Sequence, residues 1–476
     1  MVGFVQKVHG QGSLKDHKAQ CFYATQTKHL PAVKSEMTEN SEGVKMDKIV
    51  QVNNKAKMEP VQLVQADDAA VQDTTDVQAP ADEENLQLEA LLDEELWGKT
   101  THKRHNAHAA HLPSDENDLL ISTINDMDLG WKADTCKLQK HHPSYGSHCE
   151  EALKLAQTKT ETDLDQEEKV FENAENFAEA WAEAKKYQEK YPDANAIPDS
   201  ELPANFDWRN IKGVDFTSKH RDQGHCGSCY TVSFTQIAEM RLKLKYGKNQ
   251  PILSPQFLMT CNYMNEGCDG GWPFFHGFMA ENGYLVTEEC APYTGKTKGD
   301  SCSNYQQCEP HSKIDNTYFV GKGYGDSSEK KMMKEIMRNG LVNGELQAPH
   351  IFSMYQSGVL TKTGIKQLHR KVLQLAQTDA SRSKKTVHKK LGAVQQVTDK
   401  TLADYGISWQ NLNHSVVIIG WGTDEQSGQK YWIVRNSYGS TWGDHGEFLV
   451  SRGNDDFAIE SETTAYDPVL CSEAGC

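Results

Sequence analysis

Gln223-Gly224-His225-Cys226-Gly227-Ser228-Cys229-Tyr230 is the stretch on which the reading of this chain turns. It sets an amide donor, Gln223, six residues before a cysteine that opens an amphipathic run. From Tyr230 to Tyr246 apolar residues recur at helical spacing through Val232, Phe234, Ile237, Met240 and Leu244, and Gly247 supplies a stop. Cys229 therefore falls at a helix N-terminus, where the backbone dipole and a nearby imidazolium lower a thiol's pKa and favour thiolate. Two distant stretches answer it. Asn413-His414-Ser415 precedes a buried strand, and its His414 is the candidate base. Asn436-Ser437-Tyr438-Gly439 follows a strand, and the Asn436 amide oxygen is placed to hold an imidazole in one tautomer. Gln223 and the Cys229 backbone N–H are the candidate oxyanion donors. Each residue alone has an ordinary structural explanation: a half-cystine, a core histidine, a polar loop side chain. Nucleophile, base, orienter and oxyanion donor in one chain argue for a thiol hydrolase.

From Leu202 onward the chain reads as globular, rich in glycine, tryptophan and cysteine. Val416 to Gly422 and Tyr431 to Arg435 read as strands joined by a turn at Ser427-Gly428, and Gly446 to Val450 as a third. A helix-bearing lobe followed by a strand-rich lobe predicts a two-lobed α+β fold with a cleft between them. Residues 31 to about 120, rich in Gln, Asp, Glu, Lys and Ala with few aromatics, read as linker. Apolar content returns between 120 and 155, with Leu129, Trp131 and Tyr145. Residues 165–191 read as a solvated helix with one docking face, carrying Val170, Phe171, Phe177, Ala178, Trp181 and Tyr187. Residues 366–400 form a strongly basic insertion (Lys366, Arg370, Lys371, Arg382, Lys384, Lys385, Lys389, Lys390) in which Leu368, Val372 and Leu375 keep helical spacing. A solvated surface insertion is the plain reading; a processing site or a docking patch for an acidic partner are the sharper ones.

The 476 residues carry a net charge of −17, which argues against a nucleic-acid partner. No apolar run approaches the length that spans a bilayer. Seven of the twelve cysteines crowd between positions 226 and 308. Only Cys226 and Cys229 form a C-x-x-C pair, so the spread reads as a disulfide framework with one cysteine left over, not as a metal site. That implies an oxidising compartment. Residues 1–10 lack a signal peptide's apolar core, a conflict that an upstream portion of the protein would resolve. His102, His105, His108 and His111 lie in a polar segment and are read as solvated, not as metal ligands.

Over residues 202–466 these features resemble the papain-like cysteine peptidases, through the motif Cys226-Gly227-Ser228-Cys229-Tyr230 and the contexts of His414, Asn436 and Gln223. The resemblance implies a two-lobed fold, with a helical lobe and a β-barrel-like lobe, and a peptidase acting on peptide or protein substrates. It implies the roles above for Cys229, His414, Asn436 and Gln223. Gly267-Cys268-Asp269-Gly270-Gly271 resembles the family's substrate-backbone strip. The same resemblance gives disulfides Cys226–Cys268, Cys261–Cys302 and Cys290–Cys308, leaving Cys229 as the free thiol.

Cys229-Tyr230, Asp207-Trp208-Arg209-Asn210, Pro251 to Gln256, Pro292 to Gly295 and Ala458 to Ser461 are similar to the dipeptidyl peptidase I (cathepsin C) branch. That implies removal of N-terminal dipeptides, zymogen processing near 366–400, a lysosomal or other endomembrane or secreted setting, and a homo-oligomer. The 366–400 insertion also accounts for the 185 residues between Cys229 and His414, beyond the usual interval of about 130–150. Residues 1–30 resemble only the end of the branch's exclusion domain, 31–200 a linker and propeptide-like segment, and 201–476 the peptidase domain. Phe274 and Ile459 imply an apolar second subsite, with Asn413 also at the substrate. No cofactor is implied; Phe274 and Phe319 stand at or beside the tyrosines that surround chloride in the branch, which counts against a bound chloride here. Tyr438 replaces the tryptophan that shields the Asn–His pair, a cover that tyrosine can still supply.

Overall fold

The structure, a computed structural model, describes residues 34–39, 45–50, 114–134, 176–247, 250–380 and 412–476. The readings of residues 1–30, of His102 to His111, of Tyr145, Val170 and Phe171, and of the basic residues from Arg382 to Lys390 lie outside this set. The chain divides into two units, Met1–Lys99 and Thr100–Cys476.

In the first unit, β1 (Lys34–Glu39) and β2 (Lys45–Val50) pair antiparallel, from Lys34 opposite Val50 to Glu39 opposite Lys45. The sequence predicted linker here. A two-stranded ladder satisfies its backbone locally and needs little apolar content, so composition does not announce it.

In the second unit, α1 (Ser114–Asp126) leads into β3 (Trp131–Ala133), followed by α2 (Phe177–Lys190) and β4 (Phe206–Asp207). Next come α3 (Cys229–Tyr246), α4 (Pro255–Cys261), α5 (Pro273–Glu281), β5 (Ser312–Phe319), α6 (Glu329–Asn339), β6 (Val342–Leu346) and β7 (Tyr355–Leu360). After α7 (Lys362–Ala380) the chain ends in β8 (His414–Thr423), β9 (Lys430–Arg435), β10 (Glu447–Ser451) and β11 (Thr463–Leu470). The strands order as β3-β7-β10-β9-β8-β6-β11-β5, with β4 added on β8. β7 and β10 run parallel and the other described pairs antiparallel, giving an α+β fold with one mixed sheet.

α3 departs from its expected character. It is buried on all sides, its polar Thr231, Ser233, Thr235, Gln236, Glu239 and Arg241 included. Each buried polar group needs a partner. Gln236 Nε2 donates to Lys219 O at 2.9 Å, Arg221 donates to Glu239 at 3.1 Å, and Arg241 donates to Glu335 at 2.9 Å. Gly247 ends the helix with φ +65°, and a Cβ there would lie 2.8 Å from the Trp181 ring. That ring is how α2 docks, its Nε1 donating to Leu244 O at 3.0 Å.

Two further segments join the core where sequence suggested looser attachment. β3 is an edge strand of the sheet, Trp131 opposite Gly358, with Trp131 only 1% exposed. α7 buries Ile365, Leu368 and Val372 along one face while Lys366, Arg370 and Lys371 face solvent. The first part of the basic insertion is thus a docked amphipathic helix, because its apolar stripe outweighs its surface charge.

Candidate active site

α3 and β8 meet at the site. Cys229 is the first residue of α3, and His414 the first of β8. The backbone N–H of Ser415, next after His414, faces the Cys229 sulfur together with the N–H groups of Tyr230 and Cys229 itself. Ser233, one turn along α3, shares a 2.8 Å hydrogen bond with Ser415 Oγ, tying the helix to the strand.

His414 is buried and its Nε2 lies 2.7 Å from Asn436 Oδ1. An amide oxygen only accepts, so Nε2 carries the hydrogen and Nδ1 remains to exchange a proton. Ser437 N–H donates to the same Oδ1 at 2.8 Å, which fixes the amide's orientation. The ring is walled by Tyr438, with centroids 5.2 Å apart, and by Phe352 at 5.9 Å. Tyr438 in turn packs on Trp442 at 5.4 Å, so an aromatic wall stands beside the Asn436–His414 pair.

Gln223 is anchored from three sides. Its backbone N–H donates to Ser437 O at 2.8 Å, its Oε1 accepts from Ser437 Oγ, and its Nε2 donates to Cys226 O at 2.8 Å. One Nε2 hydrogen is left for another acceptor. Tyr293 OH donates to Gln223 O at 2.9 Å and shares a 2.5 Å hydrogen bond with Ser228 Oγ, bracing the loop before Cys229.

The electrostatics differ from the sequence expectation of a thiol lowered by a helix end. Burial pushes the Cys229 thiol up to about 12, the Glu345 carboxylate adds to this, and the three backbone N–H groups oppose it. Burial likewise pulls His414 down to about 4, against the Asn436 hydrogen bond. A helix terminus contributes only about 0.3–1 kcal/mol, little beside the cost of desolvating a charge. Burial thus opposes the charged form of either group taken singly, and each favours the charge of the other.

Disulfides join Cys226 to Cys268, Cys261 to Cys302 and Cys290 to Cys308, and among the described residues Cys229 is the free cysteine. A fourth, Cys471–Cys476, was not anticipated; its five-residue spacing near the C-terminus was the available signal. Open space surrounds the Cβ position of Gly270, whose φ is +109°, as a surface for a substrate backbone needs. At Gly271 a Cβ would lie 2.4 Å from Asn265 Oδ1. Ile459 is fully buried, and Phe274, 7% exposed, stacks on Phe319 at 4.8 Å. Neither phenylalanine ring carries a hydrogen-bond donor. The Asn413 amide clamps Ala348, its Oδ1 accepting the Ala348 N–H at 2.7 Å and its Nδ2 donating to Ala348 O at 3.2 Å. Among the described residues no group of three or more His, Cys, Asp or Glu is placed to hold a metal ion. No described helix is long and apolar enough to cross a membrane.

Sequence reasoning missed two carboxylates behind the site, Glu345 on β6 and Glu462 before β11, which are 4% and 1% exposed. They lie on separate strands and share no sequence spacing that would have signalled them.

The sequence model of the papain family cysteine proteases matches residues 202–376 and 376–466. The chain is 32% identical over 274 residues to cathepsin C of Schistosoma mansoni, covering 56% of this chain and 52% of that protein. It is 28% identical over 347 residues to dipeptidyl aminopeptidase 1 of Plasmodium falciparum (isolate 3D7), covering 58% and 46%. With cathepsin L1 of Drosophila melanogaster it shares 30% identity over 272 residues, covering 56% and 58%. The chain thus spans about half the length of these relatives.

Proposed function

The chain belongs to the papain family of cysteine proteases, and on that premise we propose that it is a peptidase of the dipeptidyl type, releasing dipeptides from free N-termini. The observation that carries the hydrolase reading is the free thiol of Cys229 against the Ser415 N–H, with His414 held through Nε2 by Asn436. The dipeptidyl reading is supported by the likeness to cathepsin C and to dipeptidyl aminopeptidase 1.

In the proposed reaction the Cys229 S–H proton passes to His414 Nδ1 as sulfur bonds to the substrate carbonyl carbon. The carbonyl π pair moves to oxygen, where the Cys229 backbone N–H and the remaining Gln223 Nε2 hydrogen receive it. Collapse of this intermediate breaks the C–N bond, and His414 returns its proton to the departing amine. Water then attacks the thioester while His414 takes a water proton, and the C–S bond breaks to give acid and thiol. Within the buried site the attraction between thiolate and imidazolium offsets the cost of ionising each. Asn436 and the aromatic wall of Tyr438 keep the ring aligned for both transfers.

We propose a lysosomal or secretory setting, in keeping with the disulfides. Likeness to cathepsin L1 keeps an endopeptidase as the second reading. The test uses the processed chain and a dipeptide arylamide with a free or an acetylated amine, with Cys229→Ala as control. Cleavage of the free-amine form alone supports the dipeptidyl reading, and cleavage of the acetylated form supports the endopeptidase. Cleavage of neither by folded chain overturns both and leaves a catalytically silent papain fold used for binding.

A further inference from the structure

One hydroxyl fastens the loop that carries the oxyanion donors. Tyr293 OH donates to Gln223 O at 2.9 Å, since a carbonyl only accepts. Its single hydrogen is thereby used, so in the 2.5 Å contact with Ser228 Oγ the serine is the donor. The order runs from Ser228 hydroxyl to Tyr293 hydroxyl to Gln223 carbonyl. It joins the residue before the nucleophile to the residue that holds the amide donor.

Ser228 forgoes an ordinary bond to make this one. It is the N-cap of α3 and fully buried, yet its side chain caps none of the helix N–H groups. A serine in that place usually accepts from the second or third N–H of its helix. Here the third, that of Thr231, bonds to Ser228 O at 3.0 Å. The second, that of Tyr230, faces the Cys229 sulfur beside the N–H of Cys229 itself. A hydroxyl turned toward its own helix would compete for the donors at the helix start. Turned toward Tyr293, it leaves them to the reacting atoms.

Tyr293 is itself held from behind. Thr294 N–H and Oγ1 each donate to Gln256 Oε1 at 3.0 Å. Gln256, on α4 and fully buried, donates in turn to Lys296 O at 2.8 Å and to Asp300 Oδ2 at 3.0 Å. The disulfides Cys290–Cys308 and Cys261–Cys302 fasten the chain on either side of this loop. A Cβ on Gly295, whose φ is +63°, would lie 3.6 Å from Tyr293 OH and 3.7 Å from Gln223 O, so the loop lies directly against the Gln223 main chain. A side chain anchored in this way can set the position of another group to within a fraction of an ångström.

We infer that Tyr293 is a positioning residue of the oxyanion hole. Its hydroxyl fixes the Gln223 main chain and draws the Ser228 hydroxyl away from the start of α3, so both oxyanion donors are aligned before substrate arrives. The inference rests on the peptidase reading. Tyr293 acts through Gln223 and Ser228, not on the substrate.

The test replaces the tyrosine by phenylalanine, which keeps the ring and removes only the hydroxyl. Two reactions of the processed chain are read. Hydrolysis of a dipeptide arylamide, with free or acetylated amine, builds an oxyanion; alkylation of Cys229 by iodoacetamide does not. Tyr293→Phe should lower kcat about tenfold, with KM and the alkylation rate each within about twofold of the parent. On a Gln223→Ala background the same change should lower kcat by less than about threefold, because the donor it positions is already gone. Rates are taken per alkylatable thiol, so loss of folded protein does not enter them. A Tyr293→Phe enzyme with kcat within about twofold of the parent overturns the assignment. So does an equal loss on both backgrounds, or an alkylation rate that falls in step with kcat, which would mark a general loosening of the site. In each of these results the parent still hydrolyses its substrate and the peptidase reading stands. A folded parent that hydrolyses neither arylamide overturns the assignment and the peptidase reading together.

Discussion

One sheet buries acid in two places and treats it in opposite ways. Glu447 on β10 is 3% exposed, and Arg435 Nε and Nη2 donate to its Oε1 at 2.9 and 2.8 Å while His220 Nε2 lies 2.8 Å away. Burial alone would raise this carboxyl, yet Arg435 and His220 hold it down to about 2. Glu345 on β6 and Glu462 just before β11, equally deep, have no cation among the described residues. Burial drives Glu345 well above the carboxylate range, with Glu462 adding to it, and burial pushes Glu462 up to about 8. Depth is therefore not what sets the charge of a buried acid here; the presence of a built-in partner is. The paired cluster braces the β9–β10 ladder, whereas Glu345 beside the nucleophile is held by Asn343 and Ser415 alone and Glu462 Oε2 has no hydrogen-bond partner among the described residues.

The largest test of this contrast is stability after removing the built-in cation. Arg435→Met removes the two-pronged partner of buried Glu447, leaving it His220 at 2.8 Å and Arg209 at 3.8 Å, and should cost about 3 kcal/mol in denaturant unfolding. Measured at pH 4.5, where these carboxyls are protonated in the folded chain, Glu345→Gln and Glu462→Gln should stay within about 1 kcal/mol of the parent. A mild Arg435→Met, or a glutamine variant as damaging as it, would mean that the two clusters do not differ in kind.

The two clusters also predict opposite limbs of a stability–pH curve. Glu447 has a folded value depressed from 4.5 to about 2, so its contribution is full above the unfolded value and is lost as pH falls toward 2. Glu462 has a folded value raised from 4.5 to about 8, so the fold favours its protonated form, and stability is lost as pH climbs from 4.5 through 8. The two differences are on the order of 3 and 5 kcal/mol respectively. Subtracting the curve of Glu447→Gln should isolate an acid limb, and subtracting that of Glu462→Gln an alkaline one. Both limbs on the acid side would show that Glu462 has a cation after all.

The unequal legibility of the molecule follows from how its parts are encoded. Cys229, Gln223, His414 and Asn436 sit in short local contexts whose residue types announce their chemistry, and the strands around β8 and β9 carry unbroken apolar runs with a glycine turn. The α+β class follows from those runs. What stayed hidden depends on partners distant in sequence. α3 reads as amphipathic because its apolar residues recur at helical spacing, yet its Glu239 and Arg241 meet Arg221 and Glu335 inside the protein. Trp131 reads as an isolated aromatic until β7 lies beside it. A helix start is visible in sequence, whereas the burial that opposes ionisation of the Cys229 thiol is not. Glu345 and Glu462 meet only through the β6–β11 pairing, and nothing local marks either.

The smallest expected effect probes whether the unpaired acids are neutral beside a working thiol. Glu345 raises the Cys229 thiol only insofar as it carries charge. Alkylation of Cys229 by a neutral reagent should therefore proceed at nearly the same rate in Glu345→Gln and the parent at pH 5, where the carboxyl is protonated. As pH rises and Glu345 begins to ionise, the parent gains a negative neighbour and the variant does not. The variant should then react faster by about threefold at the alkaline end of the profile, the size of a like-charge interaction of roughly 0.6 kcal/mol across partly hydrated protein. A ratio already at its full value at pH 5 would mean that Glu345 is ionised throughout. The acid behind the nucleophile would then resemble Glu447, charged at rest, and its cation would have to be sought inside the protein.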